Sequence, residues 1–303
     1  MDVSVIIVNY KTSGLVADCI ESILSKTKDI NYEIIILDNN SEPDFDRNII
    51  SKIPDNPVIH INFVHLAENM GFGRACNEGI KIAKGRNILF LNPDTILLNN
   101  AIKILYDFHD NTKDAGACGG NLYNEKGEKI FSYRRFLPGL FWETDELLNN
   151  LPQKIRWGKN RISNHSERPI QTGYISGADL MVKKSVIDII GGFHKEFFMF
   201  YEDTDICLRI QKEGYNVYNV PEAKIMHLSS KSFKAGEEWQ SDTKTRLMEE
   251  GRKIYYKLNA TKFRRKGVDI IYDIFLLTRI FFLRKGSKRE YYKRRREYFR
   301  CKV

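Results

Sequence analysis

Three residues of this 303-residue chain, Asp94, Asp203 and His227, have types and settings that suggest one joint piece of chemistry. Asp94 closes the apolar run ILFLNPDT (88–95), Asp203 lies in FFMFYEDTDICLRI (197–210), and His227 follows an apolar run in PEAKIMHLSS (221–230). A carboxylate at a strand end and a distal imidazole are donors for a divalent cation such as Mg2+ or Mn2+. A carboxylate at a helix start can act as general base toward a hydroxyl, because exposed amide dipoles there keep it ionised. Each also has a plainer reading. Pro93-Asp94-Thr95 suits a turn that caps a following helix. Glu202, Asp203 and Asp205 are acids of the kind a helix dipole favours. A lone His after an apolar run suits a satisfied structural position. Asn92 also stands where the first acid of an Asp-x-Asp pair would be.

The elements that must position these residues are legible as apolar runs. VSVIIVN (3–9) is β-branched throughout, as in a strand buried on both faces. GLVADCIESILSK (14–26) has helical periodicity. YEIIILDNNS (32–41) and VIHINFVHLA (58–67) are predicted as second and third strands. GFGRACNEGIKIAKG (71–85) is predicted as a helix ended by Gly85. NILFLNPDT (87–95) is a fourth strand and NNAIKILYDFHDN (99–111) a further helix. This alternation predicts an α/β fold with a parallel, doubly wound sheet. Ligands in such sheets bind beyond the carboxyl ends of the strands, where Asn9, Asp38, Asn39, Asn40, Asn69 and Asp94 collect. Residues 121–172, with Arg134, Arg135, Trp142 and Trp157, show no clear period and suggest an excursion over the cleft. SGADLMVKKSVIDIIGGF (176–193) predicts a strand and short helix, EDTDICLRIQKEGY (202–215) a helix stopped at Gly214, and 215–228 extended chain.

Charge is distributed unevenly. Residues 260–303 hold 15 Lys/Arg against 4 Asp/Glu, whereas the first 259 hold 33 against 35. The body is close to neutral, so the net charge of +9 speaks of what the tail touches. VDIIYDIFLLTRIFFL (268–283) is shorter than a spanning helix requires, and RKGSKREYYKRRREYFR (284–300) mixes basic and aromatic residues. Together they predict an anchor lying on an anionic membrane surface through residues 260–303. A nucleic-acid arm is the competing reading of the same tail. The apolar helix before it favours the membrane, and no nucleic-acid partner is expected. Cysteines 19, 76, 118, 207 and 301 show no CxxC spacing, which fits reduced thiols in a cytoplasm-like compartment. MDVSVIIVNYKT lacks the basic start and cleavage site of a signal peptide.

Two further segments bear on ligands. DNNS (38–41) could set Asp38 against a nucleobase, or form a turn. NMGFGRACNEG (69–79) is glycine-rich, but it is neither GxGxxG nor a Walker loop, which disfavours a dehydrogenase and an NTPase. A nucleotidyltransferase on a similar sheet would want a basic Gly-rich loop near the first strand. Residues 9–14 are a poor one.

VSVIIVNYKT, ILDNNS, ENMGFGRACNEGI, LFLNPDT, SGADLMVKKSVIDIIGGF and FFMFYEDTDICLRIQKEGY occur in the order seen in family 2 glycosyltransferases. The chain resembles the bacterial rhamnosyltransferase-like branch over residues 3–230. The resemblance implies a GT-A fold, with a Rossmann-like, mostly parallel sheet flanked by helices. The catalytic domain would span 1–235, with a nucleotide-sugar half over about 1–95 and an acceptor half over 96–235. Residues 236–303 would be a helical, membrane-associating extension. It implies inverting transfer from a nucleotide-diphospho-sugar, dTDP-rhamnose-like or UDP-hexose, to a glycan or lipid-linked oligosaccharide in surface polysaccharide assembly. The setting would be cytoplasmic, peripheral on the inner membrane face. By position in the motifs, Asp203 matches the catalytic base, Asp94 the acid binding Mg2+ or Mn2+, and His227 a metal-ligating histidine. Asn9, Tyr10, Asp38, Asn69, Gly71 and Asn77 match positions lining the nucleotide pocket. His194 stands where relatives carry Asp.

Overall fold

A computed structural model describes residues 1–41, 49, 60–158, 164–228 and 242–301. Val58 and Ile59, which open the third predicted strand, lie outside that set, as do Ser229, Ser230, the expected domain boundary at 235 and the last two residues.

Continuous β-branched runs form the centre. Strands β1 (Val3–Asn9), β2 (Tyr32–Asp38), β3 (His60–His65) and β4 (Asn87–Leu91) are parallel, in the order β3-β2-β1-β4. Every residue of β1, β2 and β4 is buried, as a sheet covered on both faces requires. Alternation divides their side chains. Val5, Ile7, Ile34, Ile36 and Leu89 pack under helices α1 (Ser13–Lys26) and α3 (Ala101–Asn111). Ile6, Val8, Ile35, Leu37 and Phe90 face α2 (Phe72–Ile82), α6 (Lys184–Ile190) and α7 (Glu202–Lys212).

Beyond β4 the sheet becomes mixed. Its order continues through β10 (Asp179–Lys183), β6 (Ala115–Tyr123), β11 (Asn216–His227) and β5 (Thr95–Leu97), and β8 (Ile170–Thr172) pairs with β11. The β10 strand is antiparallel to both neighbours, and β5 is antiparallel to β11. The result is a mostly parallel sheet flanked by helices.

The predicted excursion has structure of its own. It holds the two-stranded pair β7 (Tyr133–Arg134) and β9 (Tyr174–Ile175) and the helices α4 (Leu140–Leu147) and α5 (Leu151–Trp157). Gly85 does not end α2, which stops at Ile82. It lets the chain pass against β1, where a Cβ would lie 2.3 Å from the Ser4 nitrogen.

Three helices close the chain: α8 (Asp242–Asn259), α9 (Lys262–Phe282) and α10 (Ser287–Arg300). None is long and apolar enough to cross a membrane. They are fastened to the excursion through α4. Arg252 of α8, 2% exposed, bonds Glu143 at 3.0 and 3.2 Å and stacks 3.7 Å from the Tyr272 ring. Many tail cations point inward. Arg295 bonds Glu249 at 2.7 Å, and Arg296 and Arg300 bond Asp273 at 2.6 and 3.1 Å. Tyr291 is buried, and Tyr292 and Phe299 pack against Tyr272, Phe275 and Leu276. The aromatic residues expected at lipid headgroups in this segment are therefore used to build the helix bundle. A row of apolar side chains mixed with charge folds on itself when acids lie within reach.

Candidate active site

The turn after β4 brings two of the three singled-out residues together. Asn92 N–H donates to the Ala178 carbonyl at 3.0 Å, and the Thr95 hydroxyl donates to the Asn92 carbonyl at 2.7 Å. The following residues enter β5, where Thr95 stands opposite His227 in the antiparallel ladder with β11. Leu228 N–H donates to the Asp94 carbonyl at 2.9 Å. This register sets His227 Nε2 3.2 Å from Asp94 Oδ1, with Asp94 buried. A nitrogen and an oxygen thus converge at a strand end. Among the described residues no cluster of three or more His, Cys, Asp or Glu could hold a metal. An imidazole nitrogen and a carboxylate oxygen are donors that would suit a hard divalent cation completed by other oxygens.

Asp203 is tied to the same turn through the 176–179 segment. Its Oδ2 accepts from Gly177 N–H at 3.0 Å, one residue before the Ala178 carbonyl that holds Asn92. Its Oδ1 accepts from the Thr204 amide at 2.6 Å and the Thr204 hydroxyl at 3.1 Å. Burial raises the Asp203 carboxyl above its usual range, and these three donors pull it back. A carboxyl raised in this way is a stronger base when ionised than one in water.

The three acids of EDTD have three different fates. Glu202 is buried against α2, near Gly73. Burial, and then the charge of Asp203, push it up to about 8. Asp205 holds Arg209 at 2.8 Å and Asn259 of α8 at 2.8 Å, so it is structural.

The backbone ahead of Asp203 is strained. Phe200 and Tyr201 both have φ of 69°, a left-handed conformation for two aromatic residues in succession. Such residues cost roughly 1–3 kcal/mol each and persist only where surroundings hold them. Here α8 and the nucleotide-side loop supply the hold. Gly251 brings α8 so close that a Cβ would lie 2.5 Å from the Phe200 carbonyl oxygen, and Tyr255 packs 5.7 Å from the Tyr201 ring. Gly71 has φ of 81°, and a Cβ there would lie 2.1 Å from the Phe198 oxygen, which accepts from Phe72 N–H at 3.0 Å. The glycine-rich segment is thus packed against the Phe198 backbone ahead of Asp203.

The remaining pocket positions form two groups. Asn9 and Asp38 lie at adjacent strand ends and bond at 2.9 Å. Ser41 bonds both, at 3.0 Å from Asn9 and 3.1 Å from Asp38, so the DNNS turn is clasped to β1. Tyr10 stands outside it, 42% exposed. Asn69 accepts from Asn39 at 2.9 Å, and Asn39 accepts from Met70 N–H at 2.9 Å. Asn77 does not join these. Its amide donates to the Phe193 carbonyl and accepts from Phe193 N–H, both at 2.8 Å. It braces the Gly192-Phe193 turn.

Two residues near the site escaped the motif reading. Asp179 is fully buried in β10. Its Oδ2 accepts from Gly120 N–H at 2.6 Å, and its Oδ1 is buried with no protein partner. Burial pushes it up to about 7, against the Gly120 amide and the charge of His227. An acid inside SGADLMV, an otherwise apolar strand, was the available signal. Lys244 of α8 is half-buried, 6.0 Å over the Phe200 ring. Burial lowers its pKa and the nearby Asp94 carboxyl opposes the shift. No local pattern marks that lysine.

The class of the protein follows from its relatives. The profile described as "Glycosyl transferase family 2" matches residues 4–188, more than half of the chain, which therefore belongs to that family. The chain is 26% identical over 220 residues to the low-salt glycan biosynthesis hexosyltransferase Agl10 of Haloferax volcanii, covering 71% of this chain and 64% of that protein. It is 25% identical over 226 residues to the N-acetylglucosaminyl-diphospho-decaprenol L-rhamnosyltransferase of Mycobacterium tuberculosis, covering 67% and 69%. Identity is also 25% over 221 residues to the dTDP-rhamnosyl transferase RfbF of Shigella flexneri, covering 71% and 66%. The chain thus spans about two thirds of the length of these relatives. Their names support the rhamnosyltransferase-like branch. Among solved structures, the mannosyltransferase PcManGT of Pyrobaculum calidifontis, in complex with GDP-Man and Mn2+, matches with a TM-score of 0.61 at 11% identity, covering 98% of this chain and 84% of that one. The likeness establishes the GT-A fold.

Proposed function

We propose that this chain is an inverting, metal-dependent glycosyltransferase. The donor is a nucleotide-diphospho-sugar, dTDP-rhamnose-like or UDP-hexose. The acceptor is a hydroxyl of a glycan or lipid-linked oligosaccharide of surface polysaccharide assembly. One observation carries the reading: the Asp94–His227 pair at 3.2 Å is linked, through Asn92, Ala178 and Gly177, to the half-buried carboxylate of Asp203. The relatives' names, a decaprenol-diphosphate rhamnosyltransferase and a dTDP-rhamnosyl transferase, support the donor and acceptor classes.

The acceptor hydroxyl loses its proton to Asp203 as its oxygen attacks the anomeric carbon. The bond to the diphosphate breaks on the opposite face, so the configuration inverts. Asp94 and His227 would hold a divalent cation, which neutralises charge on the departing diphosphate. Lys244 adds a fixed positive charge near Asp94. The strained Phe200-Tyr201 turn keeps Asp203 aimed into the cleft, and alignment of the two reactants contributes further to the rate.

A thermal-shift panel of nucleotide-sugars, with and without Mn2+ or Mg2+, tests the donor. A ligand at 100 times its Kd adds roughly 2.7 kcal/mol. One metal-dependent winner is expected. A flat panel in folded protein, with and without acceptor analogue, overturns the transferase reading.

A further inference from the structure

Helix α9 is amphipathic in a way that its own packing does not use up. Val268, Tyr272, Phe275 and Leu276 are buried. Phe263, Ile270, Ile274, Leu277 and Phe281 are 88, 61, 44, 42 and 79% exposed. At about 100° per residue, those five fall within a sector of about 60° on the side opposite the buried four. Leu140 of α4, also exposed, borders the row, for a Cβ on Gly267 would lie 3.3 Å from its Cδ2. From Phe263 to Phe281 the row is about 27 Å long at 1.5 Å per residue.

Cations stand at both ends of this row. Lys262, Arg264, Arg265 and Lys266 open α9, and Arg284, Lys285 and Lys288 follow its end. Among the described residues none of these seven forms a side-chain ion pair. The cations further along α10 differ, since Arg295, Arg296 and Arg300 are engaged with Glu249 and Asp273.

We propose that this face of α9, extended by Leu140, docks on an anionic lipid bilayer, with the helix lying in the plane of the interface. The apolar row enters the upper acyl region and the two end clusters meet lipid phosphates. Charge complementarity selects this occupant over a second copy of the chain. Two such faces brought together would set basic clusters against basic clusters, in parallel or antiparallel register. The membrane contact is thus the middle of the extension and a residue of the excursion, and not the basic C-terminal helix. It bears on a lipid-linked acceptor, but its test involves no turnover.

The test is co-sedimentation of the full chain with vesicles of phosphatidylcholine alone and with added phosphatidylglycerol. The wild type is expected to partition onto the anionic vesicles. The triple variant Phe263→Ser, Ile270→Ser, Phe281→Ser is expected to lose about tenfold or more in partitioning, with unchanged melting temperature and unchanged nucleotide-sugar binding in solution. Should the triple variant fail to fold, Ile274→Ser alone still reads the face. Arg264→Glu with Lys285→Glu is expected to abolish the preference for phosphatidylglycerol. Wild-type protein that ignores anionic vesicles, or a folded triple variant that binds them equally well, overturns the proposal. A wild-type dimer that the triple variant converts to monomer, without vesicle binding, assigns the face to a second copy and also overturns it.

Discussion

The cleft and the helical extension hold their carboxylates in opposite ways. Around the extension three acids find arginine: Glu143 of α4 meets Arg252, Glu249 meets Arg295, and the partly exposed Asp273 meets Arg296 and Arg300. In the cleft, Asp203 is held by two amides and a hydroxyl and Asp179 by one amide. Desolvation is offset by a guanidinium in one region and left for ligand to offset in the other. The arginine-paired acids belong to the supporting frame, whereas Asp203 and Asp179 are held by amides and a hydroxyl. The frame is not incidental to the chemistry. Helix α8 presses on the Phe200 carbonyl through Gly251, so the extension helps hold the turn that aims Asp203.

Breaking the frame gives the largest expected effect. Arg252→Ala leaves Glu143 buried without its guanidinium and should cost about 3–5 kcal/mol of stability, measured by urea unfolding. A loss below about 1 kcal/mol would place the pair with exposed ion pairs and undo the contrast. Breaking the cleft should leave stability nearly intact and remove turnover. Asp203→Asn is expected to lower kcat by at least ~10²-fold while donor affinity is kept. Unchanged turnover in a radiolabelled-sugar transfer assay would falsify its role as base.

Asp94→Ala should weaken donor binding by roughly tenfold and erase its dependence on Mn2+, read by titration calorimetry with and without the ion. Equal donor affinity in the two conditions for the wild type contradicts the role given to Asp94. The gentlest effect is a slope. Glu202 has a folded pKa of about 8 against an ordinary 4.5. Between those values the folded chain holds a proton that the unfolded chain has released, so stability falls as pH rises through that window. Glu202→Gln removes this group, and the melting temperature of the variant should decline less from pH 5 to 8. Parallel profiles would mean that Glu202 titrates normally.

The truncation that the tail composition invites is a poor probe of the membrane. Removing residues 260–303 takes Arg295 from Glu249 and Tyr272 from Arg252. It would disturb α8 and, through it, Asp203. Point substitutions on the exposed row of α9 avoid this.

The chain by itself determined a great deal. Runs such as VSVIIVN, YEIIILD and NILFL can bury their β-branched surface on both faces only in a covered parallel sheet, and they became β1, β2 and β4. Asp94, Asp203 and His227 were legible because strand ends and helix starts, the places where such groups can work, leave local signatures. Tertiary structure alone decided the rest. It set His227 against Asp94 through a strand register, buried Asp179 in β10, brought Lys244 toward Asp94, and gave Asp203 to the cleft while Asp205 went to Arg209. It also turned the tail's later cations inward and left those flanking α9 outward. The physical reason is the same in each case. A residue's type sets what it could do, but a charge is governed by the dielectric and partners around it, and these are assembled from segments far apart in the chain.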